Sequence, residues 1–296
     1  MARYEIPKGY TVALVATMPR SGTWRSFYFL EFFDLFLSGR KTFNTRFDLE
    51  VYHALRLGKV HIHTICPGFR DACHGEERRK WDALEFYVPG FNYGYGKFIE
   101  GNEQVFSPAN NGDIRIVYIY RNPMDQCVSY YRHIEHHRQP STRSYVDLDG
   151  TEKTIENLKH YISRVGIDAY IKQYYTFHVM KRSYPDNIAM ITYEDMTRDP
   201  DGTFRSMAEF LNISLDDEAK EACFQKALNA SSAESLQNLE TAMGGPLARD
   251  QSDRGESHMR GGEIGKWKIA LDQDDIDFIG RRLREFGLSI ENFVIE

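Results

Sequence analysis

Three short segments hold the residue types that chemistry on an anion requires. The first is Pro19-Arg20-Ser21-Gly22-Thr23-Trp24. A glycine in a strand-to-helix turn lets backbone come close to a ligand, and the helix start behind it offers N–H groups at the positive end of a dipole. Arg20 adds a fixed cation, and Ser21 and Thr23 add hydroxyl donors. An ordinary turn with a threonine cap would use the same residue types. A nucleoside-triphosphate loop would read GxxxxGK[ST]; here Thr23 follows Gly22 directly. The lysine that steadies a triphosphate and the usual magnesium-binding pair are therefore missing.

The second segment runs from Arg121-Asn122-Pro123 through Asp125 to Val128-Ser129. Ser129 lies about two helical turns beyond Arg121, so its hydroxyl can face the same side. A forked cation and a neutral donor suit a phosphate monoester; a structural Arg121–Asp125 pair is the plainer alternative. The third segment is Arg260-Gly261-Gly262-Glu263-Ile264-Gly265-Lys266-Trp267-Lys268. Successive glycines can form an N–H concavity for an anion, although a solvated loop looks much the same.

The elements around these segments place them at strand ends. Tyr10–Ala16 is a short apolar, β-branched run that reads as a buried strand, and Trp24–Leu37 follows with helical spacing. Lys59–Thr64 alternates like a strand. Ile114–Tyr120 is a strong strand feeding a helix over Met124–Ile134, and Ile188–Thr192 is another, closed by Tyr193-Glu194-Asp195. Thr203–Leu211, Leu215–Leu228 and Asp272–Phe286 read as helices, and Ser252–Gly265 as a mobile polar loop. Strands alternating with helices predict an α/β fold, a central parallel sheet with helices on both faces, in which ligands bind beyond the carboxyl ends of the strands. No linker interrupts the pattern, so residues 1–296 read as one domain.

Composition narrows the classes. The 296 residues carry 37 basic and 43 acidic side chains, a net charge of −6, which disfavours a non-specific nucleic-acid binder. A hydrophobic fraction of 42% can fill a core. No stretch approaches the roughly 18 apolar residues of a membrane span, and the N-terminus lacks a signal-peptide core. The four cysteines match no zinc or redox spacing. The expectation is a soluble, cytoplasmic protein.

In combination the segments resemble the cytosolic-type sulfotransferases that use 3'-phosphoadenosine 5'-phosphosulfate (PAPS). Pro19 through Trp24 is similar to that family's PKSGTTW loop, and Arg121 through Ser129 to its RNPxDxxVS run. Tyr193-Glu194-Asp195-Met196 with Asp199-Pro200 is similar to YEDMxxDP, Ser231-Ser232 stands where the family has Thr-Ser, and Arg260–Lys268 is similar to RKGxxGDWK. The resemblance implies a P-loop nucleotide-kinase-like sulfotransferase fold and PAPS as cofactor. It implies that Arg20, Ser21, Gly22 and Thr23 hold the 5'-phosphosulfate. Arg121, Ser129, Arg260, Gly261 and Gly262 would hold the 3'-phosphate. Trp24 would stack on adenine, with Tyr193 and Ser231 near the base.

This sequence departs from the pattern at four positions. Arg20 replaces a lysine, Arg25 stands where the aromatic is expected, Gly261 replaces a lysine and Ala233 replaces an aromatic that flanks adenine. For the base, the family's KTHxP-like context is best matched by Lys59-Val60-His61-Ile62-His63-Thr64-Ile65-Cys66-Pro67. His63 is then the expected general base and His61, on the same strand face, the next choice. A histidine titrating near neutrality suits that task, and the implied mechanism needs no metal.

His133, His136 and His137 form a cluster that reads as a solvated helix face rather than a metal site. The Phe86–Phe98 segment, rich in Phe and Tyr with glycine hinges, could close over a small-molecule acceptor or simply pack. Acidic residues over Asp250–Glu256 could favour a cationic acceptor. A small-molecule kinase or NTPase and an inactive nucleotide-binding scaffold are the competing readings. The sequence leaves the oligomeric state open.

Overall fold

The computed structural model describes residues 11–41, 53–66, 114–136, 144–146, 151–243 and 262–293. Strand β1 (Thr11–Thr17) leads into helix α1 (Thr23–Ser38). Strands β2 (His53–Leu57) and β3 (Val60–Ile65) form a hairpin, and β4 (Arg115–Tyr120) leads into α2 (Pro123–His136). A small hairpin of β5 (Ser144–Val146) and β6 (Glu152–Thr154) precedes α3 (Leu158–Tyr161), which continues through a π-turn, Ile162–Gly166, into α4 (Ile167–Ser183). Strand β7 (Ile188–Thr192) is followed by α5 (Tyr193–Arg198), α6 (Pro200–Phe210), α7 (Glu218–Ala230) and α8 (Ala233–Met243). The later segment holds α9 (Trp267–Ala270), α10 (Gln273–Glu285) and a 3₁₀ turn, Ile290–Asn292.

The main sheet has the order β2-β3-β1-β4-β7. Strands β3, β1, β4 and β7 run parallel, whereas β2 pairs antiparallel with β3 at the edge. The expected parallel sheet is therefore present with one antiparallel edge strand, because the short Gly58-Lys59 turn permits only an antiparallel return. In β1, Val12, Leu14 and Ala16 face one core, while Ala13 and Val15 face the other. Strand β4 divides likewise, Ile116 and Tyr118 against Val117 and Ile119. A strand buried on both faces needs no polar alternation, which is why β1 and β4 read as continuous apolar runs.

The first core is rich in tyrosine: Tyr118 stacks on Phe177 of α4 with ring centroids 3.8 Å apart. The second is rich in phenylalanine: Phe29 of α1 lies 4.3 Å from Phe204 of α6 and 5.4 Å from Phe224 of α7. Truncating Phe29, which is fully buried, to alanine would cost about 3–5 kcal/mol.

Local chemistry sets the helix starts. Asn122 accepts the Met124 N–H at 2.9 Å ahead of α2. Thr192 caps α5, Asp199 caps α6 with Pro200 in its first turn, and Asp217 caps α7. These caps place α6 at Pro200–Phe210 and α7 at Glu218–Ala230, a few residues away from the expected Thr203–Leu211 and Leu215–Leu228, since a capping carboxylate outweighs side-chain periodicity at an end. Asp272 and Asp275 form a reciprocal capping box that starts α10. Among the described residues no helix is long and apolar enough to cross a membrane.

Candidate functional site

The carboxyl ends of the four parallel strands open onto one cavity of about 480 Å³. Arg20 and Gly22 after β1, Cys66 after β3, Arg121 after β4 and Tyr193 after β7 all line it. Its size is that of a small-ligand pocket.

The first loop is tightly folded. The Met18 N–H bonds the Ile119 carbonyl at 2.8 Å, and the Ser21 N–H turns back to the Met18 carbonyl at 3.1 Å. Arg20 sits at φ 65° and Gly22 at φ 82°. A left-handed arginine is strained backbone of the kind that surrounding structure must hold in place. Gly22 is required twice over, because a Cβ there would also stand 2.9 Å from Cδ2 of Tyr193. No side chain caps the start of α1. The Ser21 hydroxyl is fully buried and has no hydrogen-bond partner among the described residues. The Thr23 hydroxyl lies 2.8 Å from that of Thr17 and donates to Cys66 Sγ at 3.5 Å. Burial pushes the Cys66 thiol up, against the pull of the Thr17 and Thr23 hydroxyls and of Arg20. That keeps it a protonated packing group.

Arg121 joins the first loop to the second. It is 5% exposed. Its Nη1 donates to the Arg20 carbonyl at 3.4 Å and its Nη2 to the Glu263 carbonyl at 2.7 Å. Its guanidinium lies 4.5 Å from the Tyr193 ring centroid, and Nε has no hydrogen-bond partner among the described residues. Two carboxylates stand near it, Asp125 at 3.8 Å and Glu194 at 4.0 Å. Burial pushes the Glu194 carboxyl up, while backbone N–H groups, including that of Asn122, and the Arg121 charge pull it down. Ser129 comes to the same place, accepting from Arg20 Nε at 3.4 Å. The structure thus brings Arg20, Arg121 and Ser129 together.

Asp125 has a second task that outweighs its pairing with Arg121. Its carboxylate accepts the Gly265 N–H at 2.6 Å and the Trp267 N–H at 3.1 Å. Together with the Tyr193 hydroxyl, which donates to the Gly262 carbonyl at 2.8 Å, it holds the third segment against the other two. Residues 262–265 are therefore pinned rather than loose, unlike the polar loop expected over Ser252–Gly265; the rest of that loop lies outside the described residues. So do Arg260 and Gly261.

The remaining expected residues divide. Trp24 is 7% exposed; it lines the cavity, but its ring also packs in the phenylalanine-rich core, 6.1 Å from Tyr28. Ser231 is fully buried, its hydroxyl donating to the Leu228 carbonyl at 3.2 Å, and it is not among the cavity residues. Its neighbours Ala233 and Glu234, on the first turn of α8, line the cavity instead. His61 and His63 lie in β3, paired beside Val12 and Leu14 of β1; their side chains are outside the description, as are Phe86–Phe98, His137 and Asp250–Glu256. His133, expected on a solvated helix face, is instead half-buried and lines the cavity, because α2 turns it to the side of Ser129 one turn earlier. Sequence reasoning also missed Tyr130, Thr197 and Gln237. The register of α2 from Ser129 could have found Tyr130, but the α5 and α8 contributions depend on packing.

Comparisons with known proteins give the family and the fold. The family model described as "Sulfotransferase domain" matches residues 103–286. A flavonol 3-sulfotransferase of Flaveria bidentis is 26% identical over 60% of this chain and 56% of its own length. Human sulfotransferase 4A1 is 31% identical over 44% of each chain. The chain spans about half the length of these relatives. Among solved structures, a mouse sulfotransferase complexed with PAP superposes with a TM-score of 0.54 at 14% identity, over 96% of this chain and 89% of that one. Retinol dehydratase in complex with retinol and PAP gives 0.50 at 16% identity, over 95% and 82%. Both likenesses are of fold.

Proposed function

This chain belongs to the sulfotransferase family, and from that premise we propose that it transfers a sulfuryl group from PAPS to a hydroxyl or amine of a small-molecule acceptor. One observation carries the reading. Two arginines from separate strand ends meet at one cavity, Arg121 donating to the carbonyl of Arg20, and Arg20 to the Ser129 hydroxyl. A nucleotide charged at both ends needs such a pair.

The residues fit that nucleotide. Among the described residues Arg121 Nε and Ser21 Oγ are buried donors without a hydrogen-bond partner, and groups in that state are costly unless a ligand completes them. Gly22 lets Tyr193 pack against the loop, where a Cβ would stand 2.9 Å from its ring. On this reading Arg20, Ser21, Thr23 and the first-turn amides of α1 hold the 5' end. Arg121, Ser129 and the segment from Arg260 to Gly262 hold the 3'-phosphate. When bound, PAPS supplies the activated sulfuryl group. Arg20 and the α1 amides stabilise the charge that builds at the 5' end, so positioning and electrostatics supply most of the acceleration. His63 takes the proton from the acceptor, and no metal enters the scheme. A single domain over residues 1–296 and a cytoplasmic location belong to the same reading, the latter in keeping with the relatives named cytosolic sulfotransferases.

The test is transfer of ³⁵S from labelled PAPS, in the presence of a chelator, to a panel of phenols, alcohols and amines that includes flavonols. Labelled product is expected. Magnesium-dependent ATP turnover with no sulfur transfer would overturn the reading. His63→Ala should lower turnover by roughly 10²- to 10⁴-fold while leaving affinity for adenosine 3',5'-bisphosphate (PAP) unchanged. Normal turnover in that variant would place the base elsewhere.

A further inference from the structure

We infer that Arg25, through the flat face of its guanidinium, is the base-stacking and base-selecting residue of this cavity. The inference deepens the PAPS reading and rests on it.

The cavity has two differently built ends. Arg20, Arg121 and Ser129 occupy the phosphate end. Thr197 on α5 and Ala233, Glu234 and Gln237 on α8 also line the cavity, and none of these four carries a ring. Of the aromatic side chains that line the cavity, Tyr130 and His133 stand on α2 beside Ser129 with ring centroids 5.8 Å apart, Tyr193 has its ring against Arg121 and its hydroxyl on Gly262, and Trp24 is packed in the core beside Tyr28. Arg25 lines the cavity from the first turn of α1.

Its guanidinium is held in place from behind. Nη1 donates to the Met196 carbonyl at 2.7 Å, and the group lies 5.7 Å from the Phe204 ring centroid. Among the described residues Nε is buried without a hydrogen-bond partner, and no carboxylate pairs with the cation. A partly buried cation that lacks a counter-ion and rests on one aromatic ring still has a second planar face. A π-face is the group that complements it without a second charge. Burial draws the guanidinium pKa down from its ordinary value, and Tyr193 opposes that shift. A purine entering between Arg25 and the α8 wall would complete a stack of ring, guanidinium and base. The glutamate and glutamine at positions 234 and 237 are of the right type to meet its hydrogen-bonding edge.

The experiment is a calorimetric titration of the wild type, Arg25→Ala, Arg25→Lys and Arg25→Trp with PAP and with ribose 3,5-bisphosphate, which lacks the base. The wild type should prefer PAP by about 5- to 100-fold, the range of one base stacked on a side chain. Arg25→Ala should lose most of that preference while binding the base-free compound as before. Arg25→Lys, which keeps the charge and loses the plane, should behave like Arg25→Ala, whereas Arg25→Trp should retain the preference. If Arg25→Ala weakens both ligands equally, the residue serves the phosphates and the inference falls; it falls also if Arg25→Lys discriminates as well as the wild type. Should Arg25→Ala not fold, the lysine and tryptophan variants decide the matter alone. Failure of the wild type to bind PAP at all would sink the nucleotide reading itself, and this inference with it.

Discussion

The two ends of the cavity are made in different ways. The end proposed for the phosphates is built at two strand ends, from the turn after β1 and from Arg121 immediately after β4, with Ser129 of α2 and Glu263 brought to it. Its groups are tied by bonds among themselves, through the Arg20 carbonyl, the Ser129 hydroxyl and the Glu263 carbonyl. The base end is assembled from α1, α5 and α8, which meet only because the phenylalanine-rich core packs α1 against α6 and α7. Anion binding depends on backbone N–H groups and fixed charges, which a short motif can specify. A surface for a flat ring depends on which side chains happen to converge, and can be met by an indole, a phenol or a guanidinium. The first end is thus set by residue types in short segments, and the second by packing.

The sharpest way to break this contrast is to remove Arg121. Arg121→Ala should lower PAP affinity roughly 10- to 100-fold, the value of a charge-assisted bond, and should lower affinity for ribose 3,5-bisphosphate equally. It should also destabilise the fold by about 3–5 kcal/mol, because buried Asp125 and Glu194 lose their cation. Calorimetric titration and denaturant unfolding measure both effects. A loss confined to PAP would show that the two ends are not separate.

A gentler change sharpens the other side. Ala233→Phe adds a ring to a wall that has none, so PAP should bind roughly 2- to 10-fold more tightly, with the base-free ligand unaffected. Titration of both ligands checks it.

The smallest effect concerns what holds the base end in place. On α6, next to Phe204, Arg205 grips Glu221 of α7 through two bonds of 2.7 Å. Arg205 and Gln225 draw the Glu221 carboxyl down from 4.5 to about 2. A carboxyl depressed on folding contributes stability that is fully present above its unfolded value and is lost as pH falls through the folded one. The wild type should therefore melt slightly higher than Glu221→Gln at neutral pH, and the difference should close between about pH 4.5 and about pH 2. The gap is small because the pair stands in solvent. Melting curves across that pH range test it; a gap that persists at pH 2 would mean that the side chain acts through packing.

Several parts of the fold were legible before the coordinates, and for a common reason. Strands β1 and β4 announce themselves because burial on both faces demands unbroken apolar runs. Helix α10 is bounded by Asp272 and Gly287, and its expected limits agree with Gln273–Glu285 to within a residue. Helix α4, by contrast, mixes Tyr, Gln, Lys and Phe around its circumference; its periodicity is blurred because the tyrosines present apolar bodies to the core and polar tips elsewhere. Helix α8 and the antiparallel β2 carry no local signal strong enough to place them.

By itself the sequence pointed to the strand ends that meet at the cavity. A left-handed glycine, a helix start and an arginine at a strand end are features of a few consecutive residues, and the parallel α/β order puts such ends side by side. Only the tertiary structure decided three other matters. Asp125 chiefly holds the Gly265–Trp267 backbone, Ser231 is turned into the core, and Arg25 takes the free place in the cavity wall while Trp24 packs beside Tyr28. These outcomes turn on whether a distant carbonyl, N–H or ring is there to hold the side chain. That depends on elements more than a hundred residues apart in the chain, such as α1 and α5, and no local pattern records it.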